Sequence, residues 1–226
     1  MIKKYVVASC KPWHEIEFLK HSKKLSGIWK LVSNQKQLLK VVKKYNPNFI
    51  FFLHWNWIVP SKIWETTECV CFHITDLPYG RGGTPLQNLI LKKRRKTKVT
   101  AFKMVKELDA GPVYLKRNLL LNGTAKQIYV RAGKICWSII RTMISRNIVP
   151  SPQKGKVTKF QRRHAAESIL PSTGGLKKIY DFIRMLDAPT YPLAFLKHGK
   201  FYLEFSKSKM KRFSVDAKVR ITRMGK

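Results

Sequence analysis

Short apolar runs alternate with amphipathic segments along the first third of the chain, and this alternation restricts the fold more than any other feature. Residues 5–8, 49–53 and 69–73 are continuous apolar runs of strand length, as expected for strands that are covered on both faces of a parallel sheet. Residues 35–45 place leucines and valines at helical spacing between two of these runs. The pattern predicts an α/β fold with a doubly wound, mostly parallel sheet.

The composition changes after residue 150. Residues 151–155, with the sequence SPQKG, are typical of a linker. We therefore expect a larger domain over residues 1–150 and a small C-terminal α+β subdomain over residues 151–226. In that subdomain, residues 193–197, 201–205 and 214–222 predict a β-rich appendage of antiparallel strands.

The charge of the chain is extreme, with a formal net value of +34 at pH 7. It indicates either a nucleic-acid or phosphate partner, or lysines spread over a solvated surface. The lysines are dispersed through almost every segment, and the one dense run is KKRRK at residues 92–96. Both interpretations therefore stay open.

Cellular location and metal content are suggested by what the sequence lacks. No apolar run approaches the roughly 20 residues of a membrane helix, and the apolar stretch after the first residues is too short for a secretory signal. The four cysteines form no C-x-x-C pair. We expect a cytoplasmic protein without a membrane span, with free thiols and without a metal site.

Polar residues follow several of the predicted strands. His54 comes directly after residues 49–53, His73 ends the next run, and Asp109 lies in the loop before the predicted strand 113–120. Ligands of open α/β sheets bind at the carboxyl ends of the strands. Each residue also has an ordinary explanation, since a histidine can be structural and an aspartate before Ala-Gly-Pro can form a turn. Their convergence nevertheless predicts an active site.

Three segments in this region resemble one protein family. Residues 72–86, FHITDLPYGRGGTPL, resemble the signature of folate-dependent formyltransferases, in which an asparagine, a variable residue and a histidine precede Leu-Pro, Arg-Gly and Pro. Residues 104–111, MVKELDAG, resemble the second motif of the family, which ends in Asp-x-Gly. Residues 56–60, NWIVP, resemble the strand-end loop that meets the pterin ring. The resemblance runs in order from about residue 49 to residue 205, and it implies a formyltransferase Rossmann-like fold with the catalytic domain over residues 1–150.

The resemblance implies that an amine attacks the formyl carbon of N10-formyltetrahydrofolate, without a metal. His73 would donate to the oxyanion or handle the amine proton, and Asp109 would orient His73 and relay the proton. Cys71 stands where the family has its asparagine, and a thiol is a weak hydrogen-bond donor. The candidates for replacing the missing amide are Asn56, Thr75 and Asn88.

Binding residues follow from the same motifs. The resemblance assigns to the folate Trp55, Asn56, Trp57, Ile58, Lys106, Glu107 and Leu108. It assigns to the acceptor Thr75, Asp76, Arg81, Gly82, Gly83, Arg163 and Arg184. Alternatives remain for five of them: Trp55 and Trp57 could pack in the core, Asp76 and Arg81 could pair with each other, and Arg184 could interact with its own helix C-terminus.

The acceptor is the least constrained part of the function. Members of the family act on methionyl-tRNA, a glycinamide ribonucleotide or a nucleotide-linked amino sugar. The short C-terminal segment, the stretch IRMLDAP at residues 183–189 and the pair Arg162-Arg163 resemble the sugar-directed members. We expect a UDP- or dTDP-linked 4-amino-4,6-dideoxyhexose as the substrate, with a homodimer as an option. The alternatives are an enzyme like methionyl-tRNA formyltransferase, a degenerate scaffold that binds nucleic acid, and a hydrolase that deformylates the folate.

Overall fold

The computed structural model describes residues 2–225. Strands and helices alternate along the first half of the chain, and strands predominate at its end. In chain order the elements are β1 (Lys4–Ala8), α1 (Pro12–Ser22), β2 (Ile28–Val32), α2 (Gln35–Tyr45), β3 (Phe49–Leu53), α3 (Ser61–Trp64), β4 (Glu68–His73), β5 (Arg81–Gly82), α4 (Pro85–Leu91), β6 (Lys96–Lys103), β7 (Val113–Leu120), α5 (Ala125–Ser145), β8 (Lys159–Phe160), a 3₁₀ helix (Ala165–Ser168), α6 (Leu176–Leu186), β9 (Ala194–His198), β10 (Phe201–Met210) and β11 (Val215–Arg223).

The chain divides into two compact units. The first comprises the residues up to Gly82 together with Thr97–Leu119 and Tyr129–Lys159. The second comprises Gly83–Lys96, Leu120–Ile128 and the residues from Phe160 onward. The predicted functional boundary after residue 150 stays a prediction.

The first unit is built on a six-stranded sheet with the order β2-β1-β3-β4-β6-β7. The pairs β1–β2, β1–β3 and β3–β4 are parallel, and β4–β6 is antiparallel. The predicted α/β class with a mostly parallel sheet is therefore confirmed.

Both faces of the sheet are covered, as the continuous apolar strands predicted. Val6 faces the core that contains Leu38 of α2. Phe51 faces the opposite side, where its ring stacks on Trp29 with the centroids 6.1 Å apart. Trp29 in turn contacts Trp137 of α5. Since successive side chains of a strand point to opposite faces, this arrangement requires apolar residues at consecutive positions.

Helix α2 shows how local sequence sets an element's limits. Asn34 is its N-cap, and the side chain accepts a hydrogen bond from the Gln37 backbone N–H at 2.9 Å. The helix ends at Tyr45, and its C-cap Asn46 adopts a left-handed φ of 46°, a conformation that asparagine tolerates better than most residues. The prediction of this helix over residues 35–45 is confirmed.

Helix α1 begins at Pro12, in the first turn, where proline is favoured. Other elements add to the sequence-based expectations. Strand β10 continues past residue 205 to Met210, with an irregularity between Ser206 and Lys209. The two-residue strands β5 and β8 pair with each other, and pairing this short leaves no periodic signal.

The second unit contains the antiparallel sheet β11-β10-β9 with helix α6 packed on it. This arrangement confirms the predicted C-terminal β-rich unit. Across residues 2–225, the helices are all too short or too polar to cross a membrane.

Candidate active site

His73 is the last residue of β4, where the central strand of the sheet reaches its carboxyl end. Its Nε2 lies 2.8 Å from the carbonyl oxygen of Gly80. A carbonyl oxygen can only accept, so Nε2 carries a hydrogen. The other ring nitrogen, Nδ1, lies 3.7 Å from Oδ2 of Asp109, and the two side chains are 11% and 14% exposed. Nδ1 is therefore free to exchange a proton beside a carboxylate, in a site with little water to screen their attraction.

Asp109 lies in the loop between β6 and β7 and has a left-handed φ of 53°. Its Oδ2 accepts a hydrogen bond of 2.9 Å from the Gly82 backbone N–H. Two residues later, a Cβ on Gly111 would lie 1.7 Å from the carbonyl oxygen of Lys103. Only glycine fits there, which explains the final residue of the Asp-x-Gly motif.

The loop that carries Asp109 is held by a residue that the sequence did not point to. The Gln153 side-chain amide donates to the carbonyl oxygens of Asp109 at 2.8 Å and Gly111 at 2.9 Å. Gln153 Oε1 accepts from Nε and a terminal nitrogen of Arg81 at 3.2 and 2.9 Å. Arg81 also pairs with Glu107 at 3.2 Å. Gln153 lies in the predicted linker, where a glutamine gives no signal of a specific contact.

Cys71 occupies β4 between Phe52 of β3 and Phe102 of β6. Burial raises the pKa of its thiol well above the ordinary value, and the charges of Asp109 and Cys69 raise it further. The side chain is therefore a neutral thiol near pH 7, which is a poor nucleophile and only a weak donor.

The three candidate substitutes for the missing amide have different surroundings. Thr75 is fully buried, and its hydroxyl lies 3.4 Å from the Gly80 carbonyl oxygen. Asn88 belongs to the second unit, where its amide donates to the carbonyl oxygens of Gly83 and Thr84. Asn56 is exposed in the loop after β3. The replacement of the amide by any of them stays a prediction.

Asp76 and Arg81 do not pair with each other, so that alternative is wrong. Asp76 instead pairs with Lys98 at 3.0 Å and Lys116 at 2.6 Å. Burial acts to raise the pKa of Asp76, but hydrogen bonds from the two ammonium groups outweigh it and lower the pKa. Arg81 pairs with Glu107. Their predicted contact with the acceptor remains untested.

His54 lies beside a second histidine at the carboxyl end of β3. Nδ1 of His54 is 3.3 Å from Nε2 of His14, and the Cys10 thiol donates to the His54 carbonyl oxygen at 3.0 Å. Burial, followed by the charges of His14, Lys11 and His73, holds the pKa of His54 well below the ordinary value. His54 is therefore neutral and packed.

The proposed folate residues of the first unit lie in two loops. Trp55 packs against Phe52 with ring centroids 5.9 Å apart and contacts Trp57 at 4.8 Å. Trp57 and Ile58 are exposed, by 40% and 90%. The other loop exposes the three predicted residues Lys106, Glu107 and Leu108. Their contact with folate stays a prediction.

The remaining predicted acceptor residues, Gly83, Arg163 and Arg184, belong to the second unit. Arg184 is buried and donates to the carbonyl oxygens of Leu121 at 2.6 Å and Gly123 at 2.8 Å. It also pairs with Asp181 at 2.6 Å. Contacts with a neighbouring segment, and not the C-terminus of its own helix, therefore hold Arg184. Its phosphate-binding role stays a prediction.

Gly83 and Arg163 are packed within the second unit as well. A Cβ on Gly83 would lie 2.5 Å from Cβ of Arg162, so a larger residue has no room there. The Arg163 backbone N–H donates to Oγ1 of Thr84 at 3.1 Å, and its guanidinium pairs with Glu167 at 3.7 Å.

Known structures identify the architecture. The chain superposes on a methionyl-tRNA formyltransferase from Clostridium thermocellum with a TM-score of 0.95 and 42% sequence identity, covering 98% of this chain and 100% of that one. The chain belongs to the formyltransferase family. The family model for the methionyl-tRNA formyltransferase C-terminal domain matches residues 165–222 of this formyltransferase-family chain.

Two further relatives match different shares of the chain. Methionyl-tRNA formyltransferase of Campylobacter jejuni is 26% identical over 172 residues, which are 75% of this chain and 56% of that protein. The chain thus spans little more than half the length of this relative. A 4-N formyltransferase from Francisella tularensis has a TM-score of 0.65 at 16% identity, covering 85% of this chain and 91% of that one. That likeness concerns the fold alone.

The expected nucleotide-sugar acceptor is wrong. The 42% identical structure, the Campylobacter jejuni relative and the matching family model all carry the name methionyl-tRNA formyltransferase. The segment 183–189 suggested a sugar-directed enzyme, but Arg184 within it is bound to backbone carbonyls. A residue with a packing role of this kind says little about the acceptor.

Proposed function

We propose that this protein transfers the formyl group of N10-formyltetrahydrofolate to the α-amine of methionyl-tRNA. The 42% identity to a methionyl-tRNA formyltransferase over 98% of the chain supports the reaction. The net charge of +34 supports a polyanionic acceptor, since neutralised phosphates release counterions on binding.

The observation that carries the chemistry is the pair His73 and Asp109. With Nε2 committed to Gly80, Nδ1 accepts the proton that the attacking amine loses as its bond to the formyl carbon forms. Asp109, 3.7 Å away, stabilises the positive ring. The same proton then passes to the nitrogen of the donor as the old carbon–nitrogen bond breaks. No atom or electron is needed beyond the two substrates.

Two loops of the first unit suit the aromatic ring system of the folate. Trp57, Ile58 and Leu108 are exposed by 40%, 90% and 71%. Exposed large apolar side chains on loops at one functional region are typical of ligand contacts. We propose that these side chains pack on the folate, while Trp55 supports Trp57 from the core.

The test is a transfer assay with N10-formyltetrahydrofolate and methionyl-tRNA, in which formylmethionine is measured by mass spectrometry after hydrolysis. We expect formylation by the wild type and a loss of about 10²- to 10⁴-fold in His73→Ala. His198→Ala, at an exposed position of the second unit, is the matched control. A wild type that leaves methionyl-tRNA unmodified under saturating substrates would contradict the proposal.

A second candidate is a scaffold that binds tRNA without chemistry. The thiol of Cys71 in place of an amide favours it, because one lost oxyanion donor costs about 2.7–4 kcal/mol in the transition state. Salt-sensitive tRNA binding, absence of formyl transfer and absence of folate binding in calorimetry would together support this candidate.

A further inference from the structure

Gln153 makes hydrogen bonds with both sides of its amide. Its nitrogen donates to the carbonyl oxygens of Asp109 and Gly111, at 2.8 and 2.9 Å. Its oxygen accepts two bonds from the Arg81 guanidinium, at 3.2 and 2.9 Å. An amide has two N–H donors and an oxygen with two lone pairs, so every hydrogen-bonding position of this side chain is used.

The partners also fix which way the amide points. Carbonyl oxygens cannot donate, and a guanidinium cannot accept. The nitrogen must therefore face Asp109 and Gly111, and the oxygen must face Arg81. A side chain with this many directional contacts holds its two neighbours at a set separation.

The segments that Gln153 joins carry the two halves of the reaction site. Asp109 belongs to the loop before β7, while Arg81 follows the segment whose Gly80 carbonyl oxygen accepts from His73. The Gly82 N–H also donates to the Asp109 carboxylate at 2.9 Å. Displacement of either segment would alter the 3.7 Å separation of Nδ1 and Oδ2.

The loop needs such support because of its backbone. Asp109 has a left-handed φ of 53°, which is unfavourable for a residue with a side chain and persists only when its surroundings enforce it. Arg81 adds a third contact through Glu107, at 3.2 Å. The Gln153 amide donates to the carbonyl oxygens of Asp109 and Gly111, which flank Ala110 at the centre of the turn.

We infer that Gln153 is a positioning residue that sets the Asp109–His73 geometry through its two N–H bonds. The inference rests on the proposed formyl transfer for its kinetic consequence. Its structural consequence, restraint of the loop at residues 104–112 by these hydrogen bonds, is independent of any substrate. Gln153 itself is a positioning residue and touches no reacting atom.

Two substitutions separate the functions of the amide. Gln153→Glu keeps an oxygen for Arg81 but replaces the N–H donors by a second carboxylate oxygen facing two carbonyls. Gln153→Leu removes all four hydrogen bonds at similar volume. We expect kcat to fall about 100-fold in both variants, with KM for both substrates within about twofold of wild type, as for a reacting group displaced by about 1 Å. Gln161→Leu, at an exposed position, is the matched control.

Hydrogen exchange of peptides covering residues 104–112, measured in the substrate-free protein, provides the second readout. Both Gln153 variants should exchange faster there than the wild type, and Gln161→Leu should not. Wild-type kcat in Gln153→Glu would overturn the inference, because the side chain would then act only as a partner of Arg81. Unchanged exchange in both variants would overturn it too. If the wild type forms no formylmethionyl-tRNA but the variants exchange faster, the proposed function fails while the held loop stands.

Discussion

His14 and His54 share a buried contact of 3.3 Å between Nε2 of the first and Nδ1 of the second. The other ring nitrogen of His14, Nδ1, has no hydrogen-bond partner among residues 2–225. A second proton on this ring would therefore be buried without an acceptor. Burial lowers the pKa of His14 to about 3, because the charged ring is deprived of water.

The first prediction concerns acid stability. The unfolded chain protonates His14 near pH 6.5, whereas the folded protein resists protonation down to about pH 3. The stabilisation is thus complete above pH 6.5 and decreases as the pH falls toward 3. As the pH falls from 6.5 to 5, protonation of His14 in the unfolded chain should lower the free energy of unfolding by about 2 kcal/mol. Urea denaturation of His14→Gln should show a correspondingly flatter pH dependence, and the exposed His198→Gln should follow the wild type.

The second prediction concerns the missing amide. Cys71→Asn restores the residue of the family motif beside His73, so kcat for methionyl-tRNA should rise by at least about 10-fold and by at most the roughly 10²- to 10³-fold that one oxyanion donor supplies. Cys69→Asn is the matched control, since Cys69 lies on the same face of β4 and is 1% exposed. It should lower thermal stability without raising kcat. An equal or lower kcat in Cys71→Asn would mean that another group already occupies the oxyanion position.

The third prediction concerns Arg184. In Arg184→Leu the buried carbonyl oxygen of Leu121 and the part-buried carbonyl oxygen of Gly123 lose their donor, and Asp181 loses its buried partner while it keeps Lys177. We expect a loss of about 3–5 kcal/mol in the free energy of unfolding. Lys177→Leu, on the same helix but 64% exposed at its side chain, should change it by less than about 1 kcal/mol. A stable Arg184→Leu protein with a raised KM for tRNA would instead support phosphate binding.

The fourth prediction concerns Gly111. A methyl group there would lie 1.7 Å from the Lys103 carbonyl oxygen, so Gly111→Ala must displace the loop that holds Asp109. We expect at least a 100-fold fall in kcat. Gly175→Ala is the control, because a Cβ at Gly175 meets nothing within 4 Å. Equal rates for the two variants would show that the loop adapts without affecting catalysis.

The sequence predicted those features that depend on local pattern. Continuous apolar runs predicted strands covered on both faces, and leucines and valines at helical spacing predicted α2. The order of the His73 and Asp109 motifs predicted that both residues meet at the carboxyl end of the sheet, and the structure places them 3.7 Å apart.

Features that depend on distant partners could not be predicted in this way. Gln153 is separated in sequence from Asp109 by 44 positions and from Arg81 by 72. A linker-like sequence gives no indication of such hydrogen bonds. Arg184 matched a motif, but its role follows from the backbone at Leu121 and Gly123, which only the folded chain brings near. The nucleotide-sugar acceptor was inferred from short C-terminal motifs, and relatives named methionyl-tRNA formyltransferase that match most of the chain contradict it.

The second unit is assembled from three separate pieces of the chain, 83–96, 120–128 and the residues from 160 onward. During synthesis the first two pieces leave the ribosome well before the third. Helix α4, whose Leu86, Leu89 and Ile90 are buried in the finished protein, must wait for α6 before it can pack. The apolar side chains of α4 therefore stay without this partner until residues 176–186 have been synthesised. Because the second unit is formed from separate pieces of the chain, proteolytic cleavage near residue 150 separates α4 from α6 in the sequence.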